Sequence, residues 1–117
     1  MSRRTDRVSD MLRKELAEIL LREVSDPRAS LASITSVSVS PDLRHARVAV
    51  SVLGSEEHRS DAVRALQHAA GYVRRLLGRR LDLRVTPELV FELDHGAEYS
   101  QQISDLLEGL HRDDEPT

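Results

Sequence analysis

The chain has 117 residues, of which 39% are hydrophobic and 32% charged, with a net charge of −3 and no cysteine. That length supports one domain around a single core. The lack of cysteine excludes disulfides and thiolate metal sites, and no apolar run nears the roughly 18 residues of a membrane span. The charged start, Met1-Ser2-Arg3-Arg4-Thr5, has no apolar signal core behind it, which fits a cytoplasmic protein.

The mean charge conceals two opposite stretches. From Arg59 to Arg84 seven Arg stand against two Asp; from Val85 onward one Arg stands against nine acids. A basic patch on an acidic body can bind a polyanion despite the overall sign. The acidic C-terminal part is expected to discourage indiscriminate binding.

In chain order, residues 3–25 read as a helix with an apolar stripe of Val8, Met11, Leu12, Leu16, Ile19, Leu20 and Val24. It must stop near Asp26, because Pro27 disfavours helical conformation in the residue before it. Arg3, Arg4 and Arg7 cluster at the end where the helix dipole favours acids. Either an anionic partner or a frayed, solvated end accounts for them. Residues 31–53 read as a β-hairpin: Val37 and Val39 alternate with serines, and Ala46, Val48, Val50 and Val52 alternate with outward residues. Ser40-Pro41-Asp42-Leu43 makes the turn. Ile34 is out of phase with Val37, which predicts an irregular start or a bulge.

Residues 60–83 are helical, with apolar Ala62, Val63, Leu66, Ala69, Ala70, Val73, Leu76, Leu77 and Leu81. Ser55 or Ser60 caps the segment. Gly71 costs about 1 kcal/mol relative to Ala inside a helix, and glycine is a common kink site. The expected form is therefore two helices sharing one face across a bend at Ala69-Ala70-Gly71. At about 100° per residue, Arg64, His68, Gly71, Arg75 and Arg79 line up opposite the apolar stripe. One reading is a solvated face with a tolerated glycine. The other is a basic row in which the missing side chain lets a phosphate backbone come close. Glu88 to Asp94 then forms a short strand with Leu89, Phe91 and Leu93 on one face, and residues 97–110 form a last helix. Residues 1–110 make the domain, and 111–117 a charged tail expected to be disordered.

Helix, strand, strand, helix-kink-helix, strand, helix describes a two-layer α+β domain with helices packed on a three-stranded sheet. The long helical connection allows the third strand to pair in parallel. Enzyme chemistry finds little support. The five glycines never fall in phosphate-binding spacing, no Ser sits in a nucleophile elbow, and the five His show no ligand spacing. Asp94-His95 with Glu98 reads as a loop and helix start rather than a metal or proton site. Aromatic residues are limited to Tyr72, Phe91 and Tyr99, too few for a base-stacking sheet. Any RNA contact should work through phosphates, 2′-hydroxyls and shape, a role that suits Arg.

Six pieces in order carry a resemblance: Arg4-Thr5-Asp6-Arg7-Val8; Asp26-Pro27-Arg28; Ser40-Pro41-Asp42-Leu43-Arg44-His45-Ala46; Val50-Ser51-Val52-Leu53-Gly54; Ala69-Ala70-Gly71-Tyr72-Val73-Arg74; and Leu83-Arg84 followed by Pro87, Leu89, Phe91 and Asp94. Together the chain resembles the ribosome-binding factor A family over about residues 3–110. The resemblance implies a type II KH-like fold, α-β-β-α-(Ala-x-Gly kink)-α-β, in which Ala69-Ala70-Gly71 replaces the G-x-x-G loop that clamps single strands. It implies a non-catalytic, monomeric factor without cofactor or metal. Such a factor binds the free small ribosomal subunit (16S rRNA), assists late maturation and rRNA processing, matters in cold adaptation, and is released with help from a ribosome-associated GTPase. Candidate RNA-binding residues are Arg64, His68, Gly71, Arg75 and Arg79, with Arg74 and Arg80 nearer the helix boundary. Arg3, Arg4 and Arg7 extend the patch if the first helix starts nearby. The alternative is a protein-interaction module of the same fold.

Overall fold

The computed structural model describes residues 3–30, 32–94 and 106. Its elements are α1 (Arg3–Arg22), β1 (Ala32–Val39), β2 (His45–Val52), α2 (Glu56–Arg80) and β3 (Glu88–Leu93). The expected helix over 97–110 lies outside these residues except for Leu106, which is helical and exposed, and the 111–117 tail lies wholly outside.

The sheet has the order β1-β2-β3. β1 and β2 form the antiparallel hairpin, pairing Ala32 with Val52 and Val39 with Ala46. The register shifts between Ile34 and Ser36, so the expected irregularity is a bulge. One extra residue there keeps Ile34 and Val37 on the same side of the sheet. β3 pairs in parallel with β2, His45 opposite Glu88 and Val50 opposite Leu93.

Three corrections concern helix limits. α1 ends at Arg22 rather than Ser25: its last turn closes with Glu23 N–H donating to Ile19 O (2.8 Å), after which the chain enters a turn around Asp26. α2 begins at Glu56, not Ser60, because Ser55 is the cap: its hydroxyl accepts from His58 N–H (3.2 Å), while Glu56 and Glu57 occupy the positive end of the helix. Finally, α2 is one uninterrupted α-helix through Ala69-Ala70-Gly71 rather than two pieces. The apolar stripe keeps its phase on both sides of Gly71, so burial holds one continuous helix despite the glycine.

The core lies between the helices and one face of the sheet. Leu12, Leu16 and Ile19 of α1, Leu66, Val73 and Leu77 of α2, and Val48 and Val50 of β2 are fully buried. Truncating any of the leucines to Ala costs about 2–5 kcal/mol. The opposite sheet face is mainly polar, with exposed Ser36, Ser38, Arg47 and Ser51 beside an exposed Val90. There His45–Glu88 and Arg47–Glu92 pair at 3.7 Å across β2 and β3; exposed pairs of this kind are worth little each.

Candidate nucleic-acid interface

The outer face of α2 carries the predicted row, and the structure divides it into three environments. Arg64 and His68 sit beside carboxylates. Arg64 approaches Asp61 at 3.8 Å, and His68 lies within electrostatic reach of Asp26. Asp26 belongs to the Asp26-Pro27-Arg28 turn. There Arg28 folds back on the carboxylate through its backbone N–H (3.0 Å), Nε (3.2 Å) and Nη2 (2.9 Å). These bonds hold the Asp26 carboxyl below its usual range. The N-terminal half of the row is therefore of mixed charge.

Arg74 and Arg80 turn away from the row. Arg74 donates from Nε and Nη2 to Thr86 O at 3.1 and 2.8 Å, fastening the loop before β3 to α2. Arg80 reaches α1, where its guanidinium meets Glu15 (3.7 Å), Glu18 (3.5 Å) and Glu23 (3.3 Å). Its side chain is 29% exposed. Both guanidinium groups are engaged by the fold itself.

Gly71, Arg75 and Arg79 form the open part. All three are exposed, and a Cβ built on Gly71 meets no atom within 4 Å. Arg75 and Arg79, one turn apart, have no hydrogen-bond or ion-pair partner among the described residues. Tyr72, 43% exposed, borders them three and seven residues upstream, so an aromatic face sits at the rim of two uncommitted guanidinium groups. Three aromatics are too few for a base-stacking sheet, and that count did not single out Tyr72; its position next to Gly71 and one turn before Arg75 is what marks it.

α1 includes Arg3; Arg4 and Arg7 are exposed. Arg4 lines a groove together with Arg84 at the hairpin end of the sheet. Among the described residues no group of three or more His, Cys, Asp or Glu is arranged to hold a metal ion, and no helix is long and apolar enough to cross a membrane.

Comparison with known proteins gives a consistent result. The family model for ribosome-binding factor A matches residues 4–107. Ribosome-binding factor A of Caldanaerobacter subterraneus subsp. tengcongensis is 45% identical over 113 residues, spanning 96% of this chain and 93% of that one. A putative ribosome binding factor A from Thermotoga maritima, solved by NMR, superposes with a TM-score of 0.71 at 34% identity, covering 82% of this chain and 92% of that one. The Thermus thermophilus factor, a homology model fitted into a cryo-EM map of a 30S–RbfA complex, superposes with a TM-score of 0.62 at 31% identity, covering 74% of this chain and 90% of that one. With the two-layer α+β architecture and a family match over nearly the whole sequence, this chain belongs to the ribosome-binding factor A family.

Proposed function

We propose that the protein is a non-catalytic, monomeric, cytoplasmic assembly factor that binds free 30S subunits and grips structured 16S rRNA with the outer face of α2. The observation that carries this reading is the pair of guanidinium groups, Arg75 and Arg79, left without a partner among the described residues beside an uncovered Gly71. Arg64, earlier in the row, by contrast lies 3.8 Å from Asp61. The open pair offers two forked donors to phosphates, and Gly71 lets the RNA backbone approach the helix. The relative seen in a 30S complex supports the partner.

The mechanism is differential binding. The factor holds an rRNA conformation of the immature subunit and favours it by the difference between its affinities for the immature and mature states. The family resemblance extends this proposed role to late maturation, rRNA processing, growth in the cold and release assisted by a GTPase. The test is co-sedimentation with free small subunits and whole ribosomes across a salt series. Binding should be confined to free subunits and fall steeply with salt. Arg75→Glu with Arg79→Glu should weaken it and flatten the log–log salt slope by roughly 1.5–2 for two phosphate contacts. Unchanged binding by the double variant would overturn the assignment of this face.

A further inference from the structure

At the hairpin end of the sheet, α1, the β1–β2 turn and the loop after α2 enclose a second site. We infer that this groove receives one unstacked RNA base while Arg4 and Arg84 hold its phosphate; the inference rests on the RNA-binding reading above. Val8, Leu43, Leu83, Val85 and Pro87 supply an apolar lining, with Arg4 and Arg84 among the same wall residues. Asp42 and Asp82 complete the lining.

Leu43 is the informative residue. Its φ is +62°, the one positive φ outside glycine among the described residues, a conformation that Gly or Asn adopts with less strain than a bulky side chain. The turn does not need a leucine there. Leu43 N–H donates to Ser40 O and Ser40 N–H to His45 O, both at 2.9 Å. Asp42 Oδ1 accepts the Ser40 hydroxyl at 2.6 Å and Arg44 N–H at 3.0 Å. Each of these bonds would survive with glycine at position 43. The strained leucine therefore serves the groove, not the turn.

The charge pattern selects the occupant. Two guanidinium groups and two carboxylates cancel, so the groove does not suit a bare polyanion. It suits a ligand with an anionic end and a neutral, hydrogen-donating end, which is the pattern of a nucleotide: phosphate for Arg4 and Arg84, base amino groups for Asp42 and Asp82. Both bonds to Asp42 fall on Oδ1, leaving Oδ2 for such a donor. The groove holds about 240 Å³, less than the roughly 300–1,000 Å³ of sites for drug-sized ligands, and so accommodates a single base in place of a longer segment.

The experiment is fluorescence anisotropy of the full chain with two labelled RNA stems, identical except that one carries a single bulged guanosine. The bulged stem should bind about tenfold more tightly, through burial of the base against the apolar lining. Leu43→Gly should abolish that preference while leaving affinity for the plain stem and the thermal midpoint undiminished. Val85→Ser, at an exposed position, repeats the test without altering the turn. Equal binding of the two stems by the unaltered protein overturns the inference and leaves the α2 interface standing, as does a preference that survives both substitutions. Equal binding of the stems combined with loss of 30S co-sedimentation in Leu43→Gly would assign the groove to a protein side chain and also overturn it. Failure to bind either stem would refute this site and the RNA-binding reading together.

Discussion

Gln67 and Phe91 are joined across the outer edge of the sheet: Phe91 N–H donates to Gln67 Oε1 at 2.9 Å, while Gln67 Nε2 donates to Leu89 O at 3.2 Å. One carboxamide on α2 thus fills two backbone positions that a fourth strand would otherwise fill, and covers part of an edge that invites pairing with other chains. Gln67→Leu removes both bonds and leaves a part-buried N–H unpaired. It should cost about 1–3 kcal/mol, measured by urea unfolding, with faster amide exchange at Phe91 than at its neighbours.

Two glycines on α2 should respond oppositely to the same change. Gly71→Ala fills open space and should stabilise the protein by up to about 1 kcal/mol. If the backbone there approaches RNA, 30S affinity should fall as stability rises; stability gained at full affinity would remove Gly71 from the interface. Gly78→Ala places its Cβ 2.9 Å from Thr86 Oγ1. Arg74 holds the Thr86 carbonyl, so the backbone that carries this hydroxyl does not move aside freely. A lower thermal midpoint for Gly78→Ala than for Gly71→Ala is the expected result.

Arg80 tests whether a basic residue on α2 belongs to the fold or to a ligand. Arg80→Met leaves Glu15, Glu18 and Glu23 without their shared cation. It should destabilise by about 1–2 kcal/mol at low salt and less at high salt. Adding Glu18→Gln should restore part of the loss, since the remaining carboxylates repel less. A fall in 30S affinity without any change in stability would return Arg80 to the interface.

The turn makes a prediction about acid. Asp42 has its carboxyl pulled below the ordinary range first by the Ser40 hydroxyl and then by Arg44 N–H. A group whose folded pKa is depressed contributes stability above its unfolded value, about 3.9, and that contribution is lost as pH falls through the folded pKa. Asp26, held by Arg28, behaves the same way. Asp42→Asn should therefore lower the thermal midpoint at pH 6 and flatten its decline below about pH 4. Parallel curves for the variant and the unaltered protein would contradict this.

Periodicity accounts for what could be read in advance. The switch from period two at Ala46–Val52 to helical spacing at Ala62–Leu77 gave the element order, and the phase slip at Ile34 gave the bulge. The long connection before Glu88 allowed the parallel strand. Helix limits were less legible because Ser55 and Ser60 are both competent caps, and the acids at 56 and 57 favour the earlier one. In the site, the phase of Arg75 and Arg79 followed from spacing. The diversion of Arg80 to α1 did not, since it depends on how two helices pack and not on the spacing within either. Nor could Pro41-Asp42, which announces a turn, disclose the backbone sign at Leu43.

The parallel pairing of β2 with β3 has a consequence for how the chain comes into being. The middle strand of the sheet is made early, but one of its flanks stays bare until β3 arrives, with all of α2 between them. A nascent chain can close the β1–β2 hairpin as it emerges, yet it must hold Val48 and Val50 unfinished until Glu88–Leu93 have left the exit tunnel. Closing that long loop carries an entropic cost that the β1–β2 hairpin does not. A factor that attends the assembly of ribosomes thus has its own sheet closed only by β3, and a chain broken off before Phe91 would be left with a sticky, half-built sheet.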